Sequence, residues 1–214
     1  MRPAPRFHPE ILTQDQARVL AALAGAATSY GFYMAGGTAL ALQLGHRRSV
    51  DFDWFRREEI PDPLRLGDEL AASMPDLRVL STSNNTLHAE SDGVSLSWFS
   101  YSYDLLEPLV DWSDGGCRLA SLRDIAAMKV AAIAQRGAKK DFFDLVAIGK
   151  TGLSLDQMLD AYRTKFGITD IGHVLVSLTW FEDAENDPAP ILNCADDWKS
   201  IRSTVLEWTL KLAR

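Results

Sequence analysis

The sequence predicts an α+β fold, a mixed β-sheet with flanking helices followed by a helical C-terminal half. Short apolar runs separated by glycine, proline and asparagine fill the chain up to about residue 101. After Gly115-Gly116 the apolar residues recur at helical spacing instead. The 214 residues, 47% hydrophobic and 24% charged, suit one large domain or two small ones with a shared core. We place the boundary between an α/β domain, 1–118, and a helical region, 119–214, packed against it.

Each element has its own signal. Thr13 with Gln16 is a capping-box start, and Ala17, Leu20, Leu23, Ala24 and Ala27 continue at helical spacing until Gly31. Residues 32–35 read as a short buried strand broken by Gly36-Gly37, and 38–44 as a helix ended by Gly45. In 50–55, Asp51 and Asp53 share one strand face while Phe52 and Trp54 share the other. A helix is expected over 63–74, then strands at 77–82, 86–89 and 94–101. Turns at Asn84-Asn85 and Asp92-Gly93 make these an antiparallel meander. Helices follow over about 121–136, 140–149, 154–166 and 196–212, with a short apolar segment at 171–179. The tryptophans, including Trp98, Trp180, Trp198 and Trp208, are assigned to the core. His88 and His173 have no ligand-like neighbours in sequence and read as ordinary surface or core histidines.

Bulk properties narrow the function classes. A net charge of −7 disfavours generic duplex binding, which relies on a basic face. His46-Arg47-Arg48 and the run from Arg136 to Lys140 are local basic patches, so a small anionic substrate or an RNA end stays open. Cys117 and Cys194 make neither a disulfide framework nor a metal-ligand spacing, and a reducing cytoplasm is the expected setting. No apolar run approaches the roughly 18–20 residues of a membrane span, and residues 1–6 lead into no secretory h-region.

Two features carry chemistry. A strand ending in Gly36-Gly37 and turning at once into a helix leaves backbone N–H donors at the positive end of the helix dipole, which suits a phosphate. Glycine allows close backbone approach, and Thr38 adds a hydroxyl donor. Taken alone, a Gly-Gly pair is equally an ordinary turn. Asp51 and Asp53 lie about 6–7 Å apart along one strand face, where like charges repel unless a cation sits between them. Hard oxygen ligands of this kind suit Mg²⁺ (or Mn²⁺) bridging substrate phosphates. An exposed polar strand face is the alternative. Asp51 follows Thr38 by thirteen residues, so one strand–helix–strand unit unites the cradle and the acidic pair.

That unit, G-G-T-A-L-A-L-Q-L-G-H-R-R-S-V-D-F-D-W-F over 36–55, resembles the nucleotidyltransferase-type abortive-infection toxins (the AbiEii/AbiGii family) of the DNA polymerase β-like superfamily. K-V-A-A-I-A-Q-R-G-A-K-K-D-F-F-D-L, 129–145, resembles the family's second block. The resemblance runs from about residue 32 to 145 and thins beyond. It implies a toxin of a bacterial toxin–antitoxin or phage-defence system that binds a nucleoside triphosphate with a divalent metal. Such a protein transfers a nucleotide to an acceptor, in some relatives tRNA, and is accompanied by an antitoxin. By position, Gly36, Gly37 and Thr38 would hold the triphosphate, with Arg48 as a further contact. Asp51 and Asp53 would hold the metal, Lys129 would meet the phosphates, and Asp141 and Asp144 would complete the second block. On the residues alone, Lys129 and Arg136 share a helix face, as do Asp141 and Asp144, and a structural salt-bridge cluster is the alternative.

One departure stands out. Enzymes of this superfamily bring a third carboxylate from a later strand, as base or second-metal ligand. The aligned position is Ser97, with Ser95 its same-face neighbour. Glu90 or Asp92 would serve only in another register, and Asp141 and Asp144 are the other candidates for the base. The alternatives are a catalytically silent nucleotide- or partner-binding module, or an enzyme nucleotidylating a small molecule of the antibiotic type.

Overall fold

The computed structural model describes residues 6–212. The expectation of no leader, read on residues 1–6, falls on positions of which only Arg6 is among them. The described residues form two compact units: 6–104 with 108–120, and 105–107 with 121–212.

The first unit is built on one sheet. Its strands are β1 (Tyr33–Ala35), β2 (Asp51–Arg56), β3 (Arg78–Ser83), β4 (Thr86–Ser91), β5 (Val94–Ser100), β6 (Val110–Trp112) and β7 (Cys117–Leu119), in the spatial order β3-β4-β5-β2-β1-β7-β6. β3, β4 and β5 form the expected antiparallel meander. β2 joins them by pairing parallel to β5 and antiparallel to β1. The sheet is therefore mixed, as the sequence predicted. The two short strands after residue 109 differ from expectation. β6 and β7 form a hairpin, and β7 extends the sheet by pairing parallel to β1.

Three α-helices serve this sheet: α1 (Gln14–Ser29), α2 (Gly36–Leu44) and α3 (Pro63–Ala71). α1 begins with the predicted capping box, with Thr13 N donating to Gln16 Oε1 at 3.0 Å and Gln16 N to Thr13 Oγ1 at 3.1 Å. α3 ends a turn earlier than expected, at Ala71.

The pleat divides the sheet into two kinds of face. Met34, Phe52, Trp54, Leu87, Ala89, Leu96, Trp98 and Leu119 are at most 1% exposed and share one face through their cross-strand register. α1 packs on β5 and β7, and α3 on β3 and β4. Burial of each large aliphatic or aromatic side chain here contributes roughly 1.5–3 kcal/mol. The opposite face carries Asp51, Asp53, Ser95, Ser97, His88 and Glu90, all half-buried or exposed.

The second unit is helical: α4 (Leu122–Arg136), α5 (Lys139–Gly149), α6 (Leu155–Phe166), α7 (Gly172–Thr179), α8 (Glu182–Glu185) and α9 (Trp198–Leu212). The apolar segment near 171–179 is thus a helix. α6 opens with a Ser154/Gln157 capping box. Trp180 departs from its core assignment: it is 50% exposed in the connection after α7, while Trp54 and Trp98 are fully buried. Among the described residues no helix is long and apolar enough to cross a membrane.

Cys117 is 3% exposed. Burial pushes its thiol up to about 12, with the Asp111 carboxylate adding to the effect. Between the ordinary thiol value of about 8.5 and this raised value, the unfolded chain releases the proton that the folded chain keeps. Stability therefore falls as pH rises through that window. Alkylation with iodoacetamide at pH 8 is expected to modify exposed Cys194 in the native protein, and Cys117 only after unfolding, as read by peptide mass spectrometry.

Candidate active site

The site begins at the turn from β1 into α2. Gly36 has φ +71°, a left-handed conformation that side chains resist. A Cβ there would stand 2.8 Å from Asp53 Oδ2, so the carboxylate leans directly over the first residue of α2. A Cβ on Gly37 would stand 2.5 Å from an Arg47 guanidinium nitrogen and 3.2 Å from Ser49 Oγ. Both glycines therefore give room to charged or polar groups at the amino end of a helix, whose first N–H groups have no intrahelical acceptor.

Hydrogen bonds fix this arrangement. Thr38, 1% exposed, donates its hydroxyl to the Asp51 carbonyl oxygen. That bond straps α2 to β2. The hydroxyl expected to reach a phosphate is thus engaged with the strand. Gln16 Nε2 donates to the Ser49 carbonyl oxygen at 2.8 Å, so the capping residue of α1 also holds the loop before β2. Ser49 Oγ donates to Asp51 Oδ1 at 3.2 Å.

Gly36, Gly37, Thr38, Asp51 and Asp53 thus come together in the first unit. Arg48 is exposed. Its neighbour Arg47, 3% exposed, lies against Gly37 with Nη1 donating to the Arg48 carbonyl oxygen at 2.9 Å. Arg47, which the resemblance did not single out, is thus the guanidinium beside the cradle glycine. Burial alternates along this loop, with Arg47 and Ser49 buried and Arg48 and Val50 exposed.

The register locates the position of the missing acid. Ser97 of β5 is the direct partner of Asp53, and Ser95 of Asp51. Glu90 stands on β4 opposite Ser95 and is ion-paired at 2.8 Å with Arg78 of β3. Asp92 lies in the β4–β5 turn, 3.4 Å from Arg18. His88, read from the sequence as an ordinary surface or core histidine, sits opposite Ser97 with Nδ1 3.0 Å from Ser97 Oγ. Among the described residues no group of three or more histidine, cysteine or carboxylate side chains forms a metal cluster.

Lys129, Asp141 and Asp144 come together in the second unit, as a buried ion cluster. Lys129 Nζ is 2.8 Å from Asp141 Oδ1 and 2.5 Å from Asp144 Oδ2, and both carboxylates are 0% exposed. Arg136 Nε adds a 3.0 Å contact to Asp141 Oδ2. Asp141 and Asp144, expected as possible bases, are thus both held by cations in this cluster.

Solved structures share this architecture. A candidate nucleotidyltransferase from H. pylori superposes with a TM-score of 0.55 at 17% identity, over 94% of this chain and 98% of that one. MenT4, a nucleotidyltransferase toxin from Mycobacterium tuberculosis H37Rv, gives 0.57 at 14% identity, over 91% and 84%. The antibiotic-resistance factor ANT(2'')-Ia gives 0.52 at 18% identity, over 73% and 95%. The fold is that of the nucleotidyltransferases.

The family model described as nucleotidyl transferase AbiEii toxin, type IV TA system, matches residues 104–211. An uncharacterized protein of Aquifex aeolicus (strain VF5) is 38% identical over 178 residues, 82% of this chain and 86% of that protein. The chain belongs to the AbiEii nucleotidyltransferase toxin family, an enzyme class defined by nucleotidyl transfer. The matched residues include the 129–145 block and continue through the C-terminal third, where the sequence reading had the likeness fading.

Two substitutions test the geometry. Gly36→Ala is expected to lower stability by about 1–3 kcal/mol, from the left-handed φ and the Asp53 contact. Lys129→Met leaves two buried carboxylates without that cation and is expected to lower stability by about 3–5 kcal/mol. Urea unfolding followed by circular dichroism measures both.

Proposed function

We propose that this chain transfers a nucleotide from a nucleoside triphosphate to an RNA acceptor, with tRNA the first candidate. It does so as the toxin of a pair that includes an antitoxin. The observation that carries the reading is the placement of Asp53 Oδ2 over Gly36, with Asp51 two residues away on the same strand face. An acidic pair and the amino end of a glycine-led helix thereby share one location.

The donor set fits Mg²⁺ in character. Two half-buried carboxylates on one strand face match an ion held by one or two carboxylates and completed by phosphate oxygens. Asp51 and Asp53 would hold it, and it would neutralise charge on the triphosphate and make the α-phosphorus more electrophilic. The α2 N–H groups bind the phosphates through the helix dipole, and the Arg47 guanidinium beside Gly37 adds positive charge. The acceptor oxygen bonds to the α-phosphorus in line, the bond to the bridging oxygen breaks, and pyrophosphate leaves. Thr38 acts at one remove, by holding α2 against the strand that bears the acids.

Ser97, standing opposite Asp53 where an acid is expected, favours a second reading, a module that binds triphosphate without turnover. Titration calorimetry beside a transfer assay separates the two, since binding without label transfer supports the module.

Incubation with α-³²P-labelled triphosphates, Mg²⁺ and total bacterial tRNA is expected to label the RNA. Asp51→Ala and Asp53→Ala are each expected to reduce labelling at least about 100-fold, a loss on the scale of one removed electrostatic contact to a transition state. Chelation with EDTA is expected to abolish it. Absence of label with any metal, together with toxicity of Asp51→Ala equal to wild type in cells, would defeat the proposal.

A further inference from the structure

The position of the absent third acid is occupied by a hydrogen-bonded pair. Ser97 is the cross-strand partner of Asp53 on one side and of His88 on the other, so the three residues form one row across β2, β5 and β4. Registered partners in adjacent strands project to the same face. That face is the one bearing Asp51 and Asp53. At about 4.8 Å per strand, Ser97 is one spacing from Asp53 and His88 two, roughly 9–10 Å.

The pair is built rather than incidental. His88 Nδ1 lies 3.0 Å from Ser97 Oγ. The imidazole also meets Phe99 edge-to-face, with centroids 5.7 Å apart at 76°. Phe99 in turn stacks on Phe55 of β2, at 5.1 Å, so the histidine is seated on the strand that carries the acids through a row of rings. Both Ser97 and His88 are half-buried and thus reachable from solvent. The other basic candidates are less suited. Glu90 is turned to Arg78 at 2.8 Å, and Asp92 lies in a turn beside Arg18. The second unit's carboxylates are fully buried against Lys129.

We infer that Ser97 and His88 form a proton relay that replaces the missing carboxylate in accepting the proton of the attacking hydroxyl. This rests on the nucleotidyl-transfer reading above. With Nδ1 unprotonated, Ser97 donates its hydroxyl hydrogen to the imidazole, leaving the oxygen's lone pairs directed at the acceptor. The acceptor O–H proton passes to Ser97 Oγ as the serine's own proton passes to His88 Nδ1. The acceptor oxygen bonds to the α-phosphorus, the bridging P–O bond breaks, and its electron pair leaves with pyrophosphate. The imidazolium then returns its proton to water. No oxidant or further reactant is required. A general base of this kind contributes about 100- to 10,000-fold to rate.

The test uses the full chain, α-³²P-labelled triphosphates, Mg²⁺ and total bacterial tRNA. His88→Ala and Ser97→Ala are expected to lower kcat about 100-fold or more, with the KM for triphosphate and its calorimetric affinity unchanged. His88→Gln retains polarity without basicity and is expected to be equally slow, and added imidazole is expected to restore at least tenfold to His88→Ala. Ser97→Asp in the His88→Ala background supplies the missing acid directly and is expected to regain transfer. A His88→Ala protein that labels tRNA at the wild-type rate overturns the relay alone. So does loss of triphosphate affinity in step with rate in both His88 variants, because the pair then only shapes the sheet. A wild type that labels nothing removes the relay together with the transfer reading.

Discussion

The absence of a side chain at Gly36 and Gly37 is the constraint on which the site depends. It lets a carboxylate and a guanidinium reach the first turn of α2, at 2.8 Å and 2.5 Å from where Cβ atoms would stand. Two carboxylates 6–7 Å apart on a strand repel by about 2–3 kcal/mol at an effective dielectric near 20. Proximity to a helix amino end offsets roughly 0.3–1 kcal/mol of that for one of them. The difference favours cation binding on this face. The Thr38 hydroxyl on the Asp51 carbonyl and the Gln16 amide on the Ser49 carbonyl keep helix, loop and strand in the one register where this holds.

The sheet separates anchoring from chemistry by its pleat. Phe52, Trp54, Leu96 and Trp98 bury one face, and the residues between them present Asp51, Asp53, Ser95 and Ser97 on the other. A slip of one residue would invert both faces and place two acids in the core, so hydrophobic burial fixes the site's register as firmly as any polar contact. The same register, continued into β4, brings His88 opposite Ser97. A catalytic row across three strands thus follows from side chains on the opposite surface that never meet substrate.

Much of this was legible in the chain. The Thr13/Gln16 and Ser154/Gln157 capping boxes act within four residues, and the alternation at Asp51–Trp54 states both faces of its strand. β6 and β7 were missed because three-residue strands are too short for periodicity to register, and their pairing with β1 is set by tertiary contact. Arg47 and Arg48 are adjacent and chemically alike. Only the path of the loop decides which guanidinium turns in beneath Gly37. His88 lay 35 residues from Asp53 in sequence, and nothing local to it announced that two strand pairings would return it to the same face.

The two acidic pairs show how environment assigns different tasks to the same chemistry. Asp141 and Asp144 are 0% exposed and share Lys129, with Arg136 as a second cation on Asp141. Two negative and two positive groups balance, which is what makes burial of such charges tolerable. Replacing a partner there leaves an uncompensated buried charge in the helical unit. Asp51 and Asp53 are half-buried on an open sheet face. Asp51 accepts from Ser49 Oγ and Asp53 leans over Gly36, whereas the oxygens of the helical pair are closed in a buried ion cluster. Spacing in sequence could not separate these cases, since both read as paired carboxylates on one face. Burial separates them.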